Sequence, residues 1–299
     1  MRADDEPPEH LLGLVGAGIG PSLSPPLHER EAAEQGLRCR YRRWDLDELG
    51  RPPEATGELL AAAGAAGYAG LNITHPCKQR VIEHLDELSP EAAALDAVNT
   101  VVFSGARRVG HNTDWWGFAR AVRVGLPEVA MDRVVLLGAG GAGAAVAHAL
   151  LHLGAGRVHV LDVDVQRAAA LARSLRRQFG TDRAAHGGGP AEALARADGL
   201  AHATPTGMAA HPGLPVPAEL LRPDLWVADV VYRPLETELV STARARGCRT
   251  LDGGRMAVFQ AVEAFRLFTG VEPDSARMLD HFDELVRDTE GGRATHAPH

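Results

Sequence analysis

The 299-residue sequence predicts an α/β fold in two domains, and three observations carry that reading. Short β-rich runs alternate with helical stretches along nearly the whole chain, the order that builds parallel sheets flanked by helices. The length exceeds one ordinary domain and suits two. With 45% hydrophobic and 23% charged residues, the chain has the balance of a globular protein with a sizeable core.

In the first third, strands are predicted at Leu11–Val15, Arg40–Trp44, Gly70–Ile73 and Asn99–Phe103, with helices at Pro26–Gln35, Glu54–Ala66 and Pro76–Leu85. Ser89-Pro90-Glu91 starts a further helix, with serine as N-cap and proline at the first helical position. A second series of strands follows at Val134–Leu137, Val158–Leu161, Gly199–Ala203, Trp226–Val231 and Arg249–Leu251. Helices at Ala142–Leu153, Val165–Phe179, Ala191–Ala197 and Leu235–Arg246 separate them, and two more at Met256–Thr269 and Ser275–Val286 close the chain before a tail at 289–299 expected to be disordered.

The formal net charge of −8 argues against nucleic acid as a partner. The basic runs Arg38–Arg43 and Arg173–Arg177 read as solvated sides of a strand and a helix. Cys39, Cys77 and Cys248 are scattered, with no CxxC pair, which fits a reducing cytoplasm. The acidic, proline-bearing start MRADDEPPEH is not a signal peptide. The most apolar run, Val134–Gly154, is interrupted by glycines and carries His148 and His152, so no membrane span is expected. Those two histidines form HxxxH without the glutamate of a zinc protease, and no metal site is expected.

The apolar strand Val134–Leu137 feeds directly into Gly138-Ala139-Gly140-Gly141-Ala142-Gly143, a GxGxxG turn that opens a helix. The first glycine permits the tight turn, the second lets backbone N–H groups approach a pyrophosphate, and the third allows close helix–strand packing. The helix N-terminus adds the positive end of its dipole. The next strand ends at Asp162, 19 residues past Gly143, where a carboxylate can accept hydrogen bonds from a ribose. The segment is therefore a Rossmann-type dinucleotide-binding domain with a parallel sheet. NADP carries a 2′-phosphate at that ribose, and Val163, Asp164 and Val165 supply no arginine for it. Two like charges about 4 Å apart repel by roughly 1 kcal/mol in water and roughly 4 kcal/mol at an intermediate dielectric. NAD is the expected cofactor.

Two compact polar clusters lie in the other domain: Asn72-Ile73-Thr74-His75-Pro76-Cys77-Lys78, and Asn99-Thr100 with Gly110-His111-Asn112-Thr113-Asp114. A lysine at a helix start is by default a solvated side chain, and Asp114 is by default the N-cap of a Trp115–Val124 helix. Both, however, fall at the C-terminal ends of predicted strands, where open α/β sheets form ligand sites.

These segments resemble the shikimate/quinate dehydrogenase family, from about Leu11 to Met278. The matching residues are Ser22-Leu23-Ser24-Pro25, Asn72–Lys78, Ala97–Thr100, Asn112–Asp114, the glycine turn, Ala203-Thr204-Pro205, Asp229–Tyr232, and Asp252-Gly253 with Met256 and Gln260. The resemblance implies that Ser22 and Ser24 bind a substrate carboxylate, that Thr74, Asn99 and Gln260 bind ring hydroxyls, and that Lys78 and Asp114 form the catalytic pair. Tyr232 would lie near the carboxylate, and Gly253 near the nicotinamide, with Thr204 and Val231 also on the cofactor. Oxidising a secondary alcohol needs a base for the hydroxyl proton while hydride leaves to the nicotinamide. Burial favours a neutral lysine amine for that task, whereas a neighbouring carboxylate favours the ammonium and orients it; the sequence leaves that balance open. Gln260 lies off the apolar stripe Val258, Ala261, Val262, Phe265 and Phe268, which by itself suits a solvent face; the resemblance favours a cleft face.

Two departures stand out. The family's common NADP-dependent members carry Asn-Arg-Thr where this chain has Asp162-Val163-Asp164, which points to the NAD-using quinate/shikimate branch. Arg255 also replaces a usually small residue. The expected architecture is a discontinuous substrate domain, 1–114 plus 252–288, with an NAD domain at 115–251 and substrate and nicotinamide meeting in the cleft between them. The expected protein is a cytoplasmic monomer or homodimer acting on quinate or shikimate. The alternatives are a dehydrogenase of an aminated analogue and a non-catalytic ligand sensor on the same fold.

Overall fold

The computed structural model describes residues 9–294, in two compact units, Met1–Thr113 with Ala261–His299, and Asp114–Gln260. The second crossing point falls inside a helix, nine residues beyond the expected boundary after Leu251, and the first between Thr113 and Asp114.

In the first unit, β1 (Glu9–Gly16) leads to α1 (Ser24–Glu34), β2 (Arg38–Asp45), α2 (Thr56–Ala65) and β3 (Gly70–Ile73). β4 (Glu87–Leu88), α3 (Pro90–Leu95), β5 (Thr100–Ser104) and β6 (Arg107–His111) follow. The sheet order is β2-β1-β3-β5-β6-β4. β1 runs parallel to both β2 and β3, but β5 is antiparallel to β3 and to β6, so this sheet is mixed rather than parallel throughout. The reversal places the start of β5 at the same sheet edge as the end of β3, and Asn72 opposite Thr100. β2 forms the other margin of the sheet, with Arg38, Arg40, Arg42 and Arg43 exposed and Tyr41 buried between them.

The core of this unit is apolar on both sheet faces. Leu46, Leu60, Leu71, Ile73, Val81 and Val98 pack on one side, and Leu12, Leu14, Tyr41, Ala264 and Phe268 on the other. Ser89 caps α3 as expected, its hydroxyl accepting the N–H of Ala92 at 3.2 Å.

The second unit begins with α4 (Asp114–Gly125), so Asp114 is its first helical residue. It continues through β7 (Arg133–Leu137), α5 (Gly141–His152), β8 (Arg157–Leu161), α6 (Val165–Phe179), β9 (Ala184–His186), α7 (Pro190–Leu194) and β10 (Gly199–His202). β11 (Trp226–Asp229), α8 (Glu238–Ala245) and β12 (Arg249–Leu251) complete the sheet, which is parallel at every pairing in the order β12-β11-β10-β7-β8-β9. The strand order reverses at β7, the arrangement of a doubly wound dinucleotide fold. Six strands form it, one more than expected: β9 is short and its Ala-Ala-His sequence carries no strand signal.

α9 (Gly253–Thr269) is shared. Its residues up to Gln260 belong to the second unit, and Ala264, Phe265 and Phe268 are buried in the first. α10 (Ser275–Ala294) runs past Val286 instead of ending there, so helix occupies 289–294, where a tail was expected; 295–299 lie outside the described residues. Arg277 on α10 forms a two-bond ion pair with Glu31 of α1, at 2.7 and 2.9 Å, and that carboxylate is wholly buried. Among the described residues, no helix is long and apolar enough to cross a membrane.

Candidate active site

In the first unit, the loop after β1 is shaped by the buried Asp45, whose carboxylate accepts the N–H groups of Gly18 at 3.0 Å, Ile19 at 2.7 Å and Asp47 at 3.1 Å. Burial works against its charge, but these backbone donors prevail and hold the carboxyl below the usual aspartate range. The loop delivers Ser22 and Ser24 to the start of α1. The Ser22 hydroxyl accepts the Ser24 N–H at 3.2 Å, both residues are half-buried, and no side chain caps the helix at Leu23. Two hydroxyls at the positive end of an 11-residue helix suit a carboxylate.

At Gly16, the last residue of β1, a side chain would collide with the Thr74 methyl and come within 2.9 Å of the His75 carbonyl. This close approach fixes Thr74, whose N–H donates to Val15 O at 2.9 Å. The segment after it is not the expected helix Pro76–Leu85. It is a run of turns followed by a short 3-10 helix at Arg80–His84. The cause lies in the carbonyls: Thr74 O accepts from Cys77 N at 2.8 Å, and Lys78 O accepts from Val98 N at 2.9 Å, so Lys78 O serves a neighbouring segment instead of an α-helical i+4 partner. Lys78 is thus a half-buried turn residue tied to the chain just before Asn99.

Asn99 is 3% exposed and sits in a polar chain that the sequence reading missed. Tyr41 donates its hydroxyl to Asn72 Oδ1 at 2.7 Å, and Asn72 Nδ2 donates to Thr100 Oγ1 at 3.1 Å. Thr100 Oγ1 donates to Asn99 Oδ1 at 3.0 Å. Asn99 Oδ1 also accepts the Thr113 N–H at 2.7 Å, while its Nδ2 donates to Thr113 Oγ1 at 3.0 Å. Buried polar groups need such partners, and here they orient a side-chain amide. The signal was present in the sequence as polar residues (Asn72, Asn99, Thr100) inside otherwise apolar strands. Ser22, Ser24, Thr74, Lys78 and Asn99 all lie along one edge of this sheet; Asp114 follows Thr113 in the chain.

In the second unit, the sequence-predicted cofactor residues follow the C-terminal ends of successive strands: the glycine turn after β7, Asp162 after β8, Thr204 after β10, Val231 after β11, and Gly253 after β12; Tyr232, expected near the substrate carboxylate, follows Val231. Gly138 has φ +101°, and a side chain on it would meet the Ala203 carbonyl oxygen at 2.5 Å. A side chain on Gly143 would strike the Gly138 carbonyl, which is the close packing expected of the third glycine. Around Gly140 and Gly141 the space is open, so a ligand can approach the first N–H groups of α5, Ala142 among them. Gly253 backs onto the Val230 and Val231 carbonyls with no room for a side chain.

Asp162 accepts the Ala139 N–H on Oδ2 at 2.7 Å and the Asp164 N–H on Oδ1 at 2.8 Å. A carboxylate has about four acceptor positions, so capacity remains for ribose hydroxyls. Arg167 is exposed and pairs with Asp164 at 3.3 Å. Gln260 donates to Ala257 O at 2.9 Å within its own helix, and Arg255 is exposed. Gly117 lets α4 approach the first half of α9, since a side chain there would meet Gln260 N at 2.7 Å.

A parallel sheet of this order, with a glycine turn at its switch point and an acid after the next strand, defines a dinucleotide-binding α/β protein. Comparisons with known proteins narrow the class. Residues 14–101 match the family described as the shikimate dehydrogenase substrate binding domain. A shikimate dehydrogenase (NADP(+)) of Streptomyces avermitilis is 66% identical, the match covering 93% of this chain and 96% of the relative. A quinate/shikimate dehydrogenase (NAD(+)) of Corynebacterium efficiens is 52% identical over 92% of this chain and 98% of the relative. The solved structure of quinate dehydrogenase from Corynebacterium glutamicum in complex with NAD superposes with a TM-score of 0.88 at 47% identity, covering 93% of this chain and all of the other. The chain belongs to the shikimate dehydrogenase family. It is an oxidoreductase of the shikimate/quinate dehydrogenase kind, with a nicotinamide dinucleotide as cofactor.

Proposed function

We propose that the chain is an NAD-dependent dehydrogenase that interconverts quinate or shikimate with the 3-dehydro ketone, using Lys78 and Asp114 as its catalytic pair. The observation that supports this reading is the anchoring of the Lys78 backbone to Val98, next to an Asn99 amide oriented by Thr100 and Thr113, which puts Lys78 and that amide on neighbouring segments of one sheet edge. Ser22 and Ser24 bind the acid's carboxylate, and Thr74 and Asn99 its ring hydroxyls. Lys78 Nζ takes the hydroxyl proton as the carbonyl forms, and Asp114 orients the resulting ammonium. In the second unit, Tyr232 and Gln260 are assigned to the same acid, and Gly253, Thr204 and Val231 to the cofactor, as the resemblance implies. The dinucleotide, when bound, supplies the hydride acceptor.

NAD is favoured over NADP by the Asp162 carboxylate, which its two backbone partners hold in place, and by the engagement of Arg167 with Asp164. The 66%-identical relative is named for NADP and the Corynebacterium proteins for NAD, and the assay compares the two cofactors directly. The test follows NADH or NADPH in steady state with quinate and with shikimate, for the wild type and Lys78→Ala. The variant is expected to lose on the order of 10²–10⁴ in rate. Wild-type turnover equal to that of the variant would overturn the catalytic pair and favour the ligand-sensor alternative.

A further inference from the structure

A second buried chain of polar side chains runs under the cofactor loops of the second unit. His202, wholly buried at the end of β10, places Nδ1 2.9 Å from Asp229 Oδ1 and Nε2 2.5 Å from Thr204 Oγ1. Asp229, 2% exposed at the end of neighbouring β11, also accepts the Val231 N–H on Oδ1 at 3.0 Å and the Thr237 hydroxyl on Oδ2 at 2.7 Å. Thr237 Oγ1 in turn accepts the Val240 N–H at 3.2 Å and caps α8. Two of the expected cofactor positions, Thr204 and Val231, therefore hang from a single carboxylate, one through an imidazole and one directly.

The proton positions follow from what each group can do. A carboxylate only accepts, so Nδ1 of His202 carries a proton and the Thr237 hydroxyl points its own at Asp229. If Nδ1 carries the ring's single proton, the arrangement taken here, Nε2 accepts and Thr204 donates its one hydroxyl proton to it. Thr204 Oγ1 is left with lone pairs alone, one of them facing the Thr206 N–H at 3.3 Å.

We infer that His202 is a positioning residue for the dinucleotide: it fixes the Thr204 hydroxyl as an acceptor for an N–H or O–H donor on the nicotinamide half of the cofactor. The assignment to that half rests on the strand order, since β10 flanks β7 on the side opposite β8, whose end carries Asp162. A pyrophosphate, which only accepts, would find no donor in this hydroxyl. The donor is a ribose hydroxyl or the carboxamide amine. This inference rests on the dinucleotide-binding reading of the second unit and goes beyond it by assigning a proton arrangement.

The test combines ¹⁵N spectroscopy of the His202 ring with dinucleotide binding to the wild type, Thr204→Val, Thr204→Ser and His202→Asn. Binding is measured for NAD and for its 3-acetylpyridine analogue, which lacks the carboxamide amine. Nε2 of His202 is expected to resonate as an unprotonated nitrogen and to shift when NAD is added to the wild type but not to Thr204→Val. Removing the hydroxyl, or the histidine that orients it, is expected to weaken NAD binding about tenfold, with Thr204→Ser restoring it. An equal loss for both dinucleotides identifies the ribose hydroxyl, and a loss confined to NAD identifies the amine. A protonated Nε2, or NAD binding that neither moves the His202 resonances nor weakens in Thr204→Val, overturns the inference. A wild type that binds no dinucleotide at all would instead overturn the reading beneath it.

Discussion

Ala139, inside the glycine turn, donates its backbone N–H to the carboxylate of Asp162 across the ends of two neighbouring strands, at 2.7 Å. The carboxylate proposed to select the cofactor is thus tied directly to the glycine turn. Replacing Asp162 with serine removes the charge that opposes a 2′-phosphate, and pairing it with Val163→Arg adds a favourable one. The double variant is expected to raise the NADP-to-NAD ratio of kcat/KM by tenfold or more, from a repulsion of roughly 1–4 kcal/mol. A wild type that already uses the two cofactors equally would refute the role given to Asp162.

Asn72 reaches the Asn99 side chain through Thr100, and its own Nδ2 also donates to the Asn99 backbone carbonyl at 3.4 Å. Asn72→Leu would leave the Tyr41 hydroxyl without its acceptor and Thr100 without a donor in a buried setting. Stability is expected to fall by about 1–3 kcal/mol, read by urea denaturation. KM for the ring acid should rise more than KM for the dinucleotide. An equal rise in both would mean that Asn72 acts on the fold alone.

His28 is wholly buried among Tyr41, Phe265 and Phe268, and among the described residues neither ring nitrogen has a hydrogen-bond partner. Burial lowers its pKa to about 3, against an unfolded value of 6.5, so the unfolded chain binds the proton first as pH falls. The native state therefore keeps this contribution above pH 6.5 and loses it progressively down to pH 3, by about 2 kcal/mol at pH 5. His28→Phe should flatten the dependence of Tm on pH in this window. An unchanged slope would assign acid sensitivity to other groups.

Arg277 is the cationic partner of a carboxylate that has no solvent contact. Arg277→Met strands the Glu31 charge, leaving it the Asp274 N–H and the Gln35 amide among the described residues, and is expected to cost about 3–5 kcal/mol. Adding Glu31→Leu should recover much of that loss. A double variant as unstable as the single one would show that packing, not charge, is what Arg277 supplies.

What could be read from the sequence divides by how local its cause is. The glycine turn, the strand before it and Asp162 after the next strand are dictated by neighbours within one βαβ unit, and the structure places them as the spacing implies. Lys78 was recognisable by residue type, but its backbone was not: the choice between helix and turn is decided by Val98, twenty residues away. β6 escaped because Arg107-Arg108-Val109-Gly110-His111 looks like a loop, and only pairing with β5 makes it a strand. Likewise His202 and Asp229 lie 27 positions apart, and nothing in either segment announces the other. The residue types proposed for catalysis are written in short motifs, whereas the groups that hold their segments in place come from the register of one strand against the next.

The row of arginines on β2 has a bearing on how the protein behaves at high concentration. An edge strand offers free N–H and C=O groups to any passing chain, and a flat apolar edge is a template for aggregation. Here a strand from a second molecule would have to settle among the charges of Arg38, Arg40, Arg42 and Arg43, of which Arg40 is steadied by Glu9 at 3.2 Å and Arg43 by the Gly20 carbonyl. The basic run thus lines this margin of the sheet with like charges, the device by which an edge strand is made a poor template for a neighbour.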